Sequence, residues 1–149
     1  MANVKLMSNP TPGAIRVFYN VDAAVGQFCP NRRNDVYLVQ FLINAIWDRK
    51  DAGGLLVGVA GKPAPRVDGI CGTETVAAIR QFQGYYGASF VDGRVDPVPP
   101  GQDFGPLHHQ IYTMIGLNAN VAIFLGPDRH ALICNEPNFP LPLKQDLFR

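Results

Sequence analysis

The densest apolar run in this chain, residues 35–49 (D-V-Y-L-V-Q-F-L-I-N-A-I-W-D-R), has almost no polar face. Val36, Val39, Ile43 and Ile46 recur at helical spacing, while Tyr37, Leu38, Phe41, Leu42 and Trp47 occupy the other sides. A helix that is apolar nearly all round must be covered on more than one side. Asn34 is the candidate cap at its start. A second helix is predicted from Thr73, because Thr75, Ala78, Ile79 and Phe82 fall at i, i+3, i+4 and i+7. Asp68-Gly69 makes a turn ahead of it, Gly72 or Thr73 caps it, and Glu74 sits beside the positive end of its dipole. A third helix is expected over 107–117, with Leu107, Ile111, Met114 and Ile115 on one face.

Elsewhere the pattern predicts strands. Residues 14–19 (A-I-R-V-F-Y) are rich in β-branched and aromatic types. The runs 121–125 (V-A-I-F-L) and 130–134 (H-A-L-I-C) flank Gly126-Pro127-Asp128-Arg129 and read as a β-hairpin with a four-residue loop. An isolated hairpin is barely stable in water, so residues 14–19 are expected to complete a three-stranded antiparallel sheet packed on the outer face of the first helix. Residues 1–13, 20–34 and 51–66 read as irregular, with a brief extended piece at 55–59. The prolines of 94–106 make a rigid connector, and those of 136–149 an extended tail. The expected fold class is α+β, in a single domain spanning 1–149. Two V-D-G copies, Val67–Gly69 and Val91–Gly93, read as two turns of one module, because repeat arrays need three or more units.

Composition narrows the function. Of 149 residues, 47% are apolar, enough for a real core, and a net charge of +1 offers no electrostatic signature for nucleic acid. No stretch reaches the length of a membrane span, and residues 1–10 lack the apolar run of a secretory signal. The widely spaced Cys29, Cys71 and Cys134 suit small buried thiols in a reducing compartment better than a disulfide framework.

Catalytic and metal chemistry find little support. His108, His109 and His130 lack zinc-ligand spacing, and no flanking signature pairs a cysteine with a histidine, so no cofactor and no metal are expected. Asp68, Glu74, Asp92 and Asp96 are the carboxylates near enough in sequence for glycan cleavage, but turn chemistry already accounts for Asp68 and Asp92. The chain reads as no enzyme, with a small hydrolase of unrecognised site as the remaining alternative.

Asp68, Gly69, Gly72, Thr75, Ala78, Ile79, Phe82 and Gln83 together spell D-G-x-x-G-x-x-T-x-x-A-I-x-x-F-Q. This resembles the peptidoglycan-binding-domain-like family of small three-helix modules. Asp35-Val36, Val39-Gln40 and Ile43-Asn44 resemble the family's first helix, and Val91–Val95 its second turn. The resemblance covers about residues 34–118. It implies a three-helix core, to which strands at 14–19 and 121–134 would be added, and non-catalytic binding of peptidoglycan, targeting or anchoring a partner to the wall. It also implies ligand-binding roles for Arg80, Gln83, Tyr85, Tyr86, Asp92 and Arg94. Against that stands a purely structural reading, in which Gln83 satisfies backbone groups and the tyrosines finish the core. Delivery to the wall would need a trimmed leader, a non-standard route or release at lysis; cytoplasmic residence is the other expectation. The alternative function is an adaptor in a phage tail or contractile secretion apparatus, holding a protein partner through the tail.

Overall fold

The structure is a computed structural model that describes residues 2–6, 17–100 and 111–148. Three helices form its centre: α1 (Arg33–Ile46), α2 (Thr73–Tyr86) and α3 (Thr113–Leu125). Helix α1 starts before the expected cap. Asn34 lies inside it, and Arg32 occupies the cap position without a side-chain cap bond. Asp35, fully buried, instead ties the incoming loop down by accepting the backbone N–H groups of Asp22 (2.9 Å) and Ala23 (3.0 Å). Burial nevertheless pushes this carboxyl above its ordinary pKa.

The all-round apolarity of α1 is accounted for, though not by the expected sheet. Val36, Leu38, Val39, Leu42, Ile43 and Ile46 are all buried, and α1 packs on α2, α3 and a C-terminal helix, α5 (Leu141–Leu147). The Phe41 and Phe139 rings meet edge-on at 4.9 Å. The tail is therefore not extended throughout. Pro142 sits in the first turn of α5, where its missing N–H has no helical partner to lose, and Leu143 and Leu147 enter the core.

The predicted hairpin at 121–134 is helical. Residues 121–125 finish α3, Gly126 (φ +93°) ends it, and Pro127 opens the short α4 (Pro127–Ala131). A 3₁₀ turn, Ile133–Asn135, follows. Short apolar runs fit a buried helix and a buried strand equally well, and here Met114, Leu117 and Val121 are buried along one continuous helix. The described part of the third helix is thus shifted C-terminally from 107–117; residues 107–110 lie outside the described residues. Ile111, expected on the core face, is half exposed.

Strand β2 (Val17–Asn20) confirms the end of the predicted N-terminal strand, while residues 14–16 lie outside the described residues. Its antiparallel partner is β1 (Asn3–Leu6), within the segment expected to be irregular, with Val4 facing Tyr19 in register. β2 rests on α3, not on the outer face of α1. There Asn118 donates to the Tyr19 carbonyl (2.9 Å) and accepts the Tyr19 N–H (2.9 Å), so one side chain serves as a strand partner. The buried Tyr19 hydroxyl reaches the carbonyls of His130 and Ala131, each at 2.9 Å. A second pair, β3 (Val25–Gly26) with β4 (Arg94–Val95), ties the loop before α1 to the segment after α2. The chain is thus mixed α+β, with helices predominating.

Candidate functional site

The two V-D-G segments are closed by the same device. In the first, buried Gln40 of α1 accepts the N–H groups of Asp68 (3.1 Å) and Gly69 (2.9 Å). Its amide nitrogen shares two hydrogens among Asp68 Oδ1 (3.1 Å), the Ile70 carbonyl (2.9 Å) and Thr75 Oγ1 (3.0 Å). In the second, buried Gln83 of α2 accepts the Gly93 N–H (2.9 Å) and donates toward Asp92 Oδ1 (3.0 Å), the Arg94 carbonyl (3.0 Å) and Thr113 Oγ1 (2.9 Å). Each aspartate also accepts the N–H two residues on, at 3.0 Å, so each turn is an Asx turn clamped between one helix and the start of the next.

Both turn glycines need to be glycine. Gly69 (φ +76°) and Gly93 (φ +71°) adopt the left-handed conformation that residues with a Cβ disfavour. A Cβ on Gly69 would lie 2.8 Å from Arg33 Cγ, and one on Gly93 2.9 Å from Val76 Cγ1. Arg33 and Tyr37 precede Gln40 by the same seven and three residues as Val76 and Arg80 precede Gln83, so the two helix–turn units are spatial counterparts. Of the remaining motif residues, Thr75 completes the first clamp, Ala78, Ile79 and Phe82 are buried, and Gly72 occupies the cap position of α2. Nothing in the space around Gly72 requires glycine.

The six expected ligand residues do not form one site. Gln83 is consumed by its clamp, and Asp92 and Arg94 meet it at the second turn, where Arg94 Nε pairs with Asp96 Oδ1 at 2.7 Å. Together with Phe90 they line a hollow of only about 180 Å³. Tyr86 stacks on Phe82 with ring centroids 4.9 Å apart and lies against Gly116, with its hydroxyl 3.4 Å from Thr113 Oγ1. Tyr85 turns the other way and donates to Asp51 Oδ2 at 3.2 Å. Burial raises the pKa of both hydroxyls.

Arg80 alone of the six lines a larger groove, of about 560 Å³. One wall is the exposed flank of α2, with Glu74, Ala77, Ala78, Arg80 and Gln81; the other is Val59, Lys62, Pro63 and Pro65, and Trp47 lies at its base. The loop wall is fixed from both sides. Asn44 donates to the Pro65 carbonyl (3.0 Å) and Trp47 Nε1 to the Lys62 carbonyl (2.9 Å), while Gln81 donates to the carbonyls of Val57 (3.2 Å) and Gly58 (3.0 Å). Gly58 passes so close to the indole that a Cβ would sit 2.5 Å from Trp47 Cδ2. Sequence reading missed Lys62, Pro63, Pro65 and Ala77. The Pro63-x-Pro65 spacing was the local sign of a rigid wall, but the concavity joins segments distant in sequence.

The groove lining carries two cations, Lys62 and Arg80, against one carboxylate, Glu74. Among the described residues neither the exposed Lys62 side chain nor the exposed Arg80 side chain makes a hydrogen bond or ion pair, whereas Glu74 accepts the Arg66 N–H (3.2 Å) and lies 3.8 Å from Arg66 Nε. Backbone donation by Ile70 holds the Asp68 carboxyl below the usual carboxylate range. The cysteines are free and half-buried rather than buried. Among the described residues no group of three His, Cys, Asp or Glu side chains is placed to hold a metal ion. His108 and His109 lie outside the described residues.

No curated protein and no solved structure gives a significant match to this chain. Residues 55–98, which carry the groove's loop wall, the first turn, α2 and the second turn, match the family model described as "Putative peptidoglycan binding domain".

Proposed function

We propose that this chain is a non-catalytic module that binds bacterial peptidoglycan in the groove beside α2, and so targets or anchors a partner to the wall. The observation that carries the reading is a coincidence of place. Nine of the ten side chains lining the groove lie within residues 55–98, Trp47 being the exception. The volume falls within the roughly 300–1,000 Å³ of small-ligand sites, and the hydrogen-bonded loop wall needs no ordering on binding.

The carboxylates considered for glycan cleavage support a non-catalytic role. Asp68 and Asp92 are committed to their turns, Asp96 to Arg94, and Glu74 to Arg66. Among the described residues no helix is long and apolar enough to cross a membrane.

Co-sedimentation with purified sacculi tests this reading. The protein should pellet with intact sacculi and stay in the supernatant with a muramidase-digested control; equal partition in the two tubes would refute wall binding.

A further inference from the structure

We propose that the groove takes the peptide stem of peptidoglycan rather than its glycan strand; this rests on the wall-binding reading above. The two candidate ligands differ in charge and in shape. A glycan strand carrying stems has its lactyl carboxyls tied up in amide bonds and presents uncharged, N-acetylated sugar rings. The stems present free carboxylates and methyl side chains.

Charge favours the stem. Lys62 and Arg80 both line the groove, one from each wall, exposed and with side chains that have no ionic partner among the described residues. The lining carboxylate, Glu74, is shared with Arg66. A net positive groove is complementary to a carboxylated peptide and gains nothing from a neutral sugar.

Shape points the same way. Sugar rings are held on exposed aromatic faces, and this groove has none. Its lining ring, Trp47, is 4% exposed, its indole N–H is spent on the Lys62 carbonyl, and the Gly58 backbone presses on its face. What remains exposed of the apolar lining is small, Ala77 on one wall and Pro63 on the other, suited to methyl side chains.

The test measures retention of the whole protein on intact sacculi in competition with soluble stem peptide or with soluble uncharged glycan. It is joined to titrations with the soluble tetrapeptide L-Ala-γ-D-Glu-meso-diaminopimelate-D-Ala and with chitotetraose, followed by backbone amide shifts. Retention on intact sacculi should fall about tenfold under excess tetrapeptide and stay unchanged under excess chitotetraose. The tetrapeptide should move the amides of Lys62, Ala77 and Arg80, and 1 M salt should weaken it. A Lys62→Ala/Arg80→Ala variant, whose fold is checked by its amide spectrum, should lose about tenfold in peptide affinity. Retention unmoved by excess tetrapeptide, or shifts with chitotetraose alone, would overturn the stem assignment while leaving wall binding intact. No retention on intact sacculi would overturn both.

Discussion

Gln40 and Gln83 hold the most consequential side chains in the molecule, because each satisfies a whole turn from a buried position. Replacing either with leucine keeps the volume but strands turn N–H groups and a threonine hydroxyl. Gln83→Leu should cost about 2–4 kcal/mol in chemical denaturation, and Gln40→Leu a similar amount. A loss below ~1 kcal/mol for both would show that the clamps do not support the fold. His130 offers a pH test. Its Nε2–H donates to Asn118 Oδ1 at 3.0 Å, its Nδ1 has no partner among the described residues, and burial lowers its pKa from 6.5 to about 4. The folded state keeps the ring neutral while the unfolded chain takes up a proton. This contribution to stability is therefore complete above pH ~6.5 and falls away toward pH ~4, by about 3 kcal/mol at most. The loss should be absent in His130→Gln, and denaturation of the two proteins across that range measures it. Phe28 is 98% exposed with φ +61°, a left-handed conformation that asparagine tolerates far better. Phe28→Asn should raise stability by about 0.5–1 kcal/mol, read from the unfolding midpoint.

Elements differed sharply in how well they could be read. Helix α2 and its flanking turns were legible because the signals are local: Asp-Gly geometry and the Thr75, Ala78, Ile79 and Phe82 stripe act within a few residues of one another. The crowding of α1 correctly required a second cover, yet could not name it. Residues 121–125 finish a helix that packs on α1 and β2, and residues 141–147 form one that packs on α1 and β1, long-range contacts that no short window encodes. Strand β1 was invisible for the same reason, since its order comes from pairing with β2. Because α5 belongs to the core, Leu143→Ala should cost about 2–5 kcal/mol in denaturation. Removing residues 136–149 would uncover α1, so it cannot serve as a clean test for a partner held by the tail.

At the scale of the whole molecule, the motif residues and the proposed binding surface separate. Asp68, Gly69, Thr75, Ile79, Phe82 and Gln83 build the helix–turn units, and Ala78 alone of the motif also lines the groove, which runs along α2 and borrows its second wall from 59–65. Only Arg80 of the expected ligand residues reaches it, because side chains that look polar and available in sequence were already committed to turns and core. The most direct test of this separation uses Ala77, an exposed helical position on the groove floor. Ala77→Glu places bulk and negative charge in the groove at little cost to helix propensity. Its unfolding curve should overlay that of the parent protein while its retention on intact sacculi is lost; undiminished retention with the groove so filled would contradict the groove as the wall-binding site.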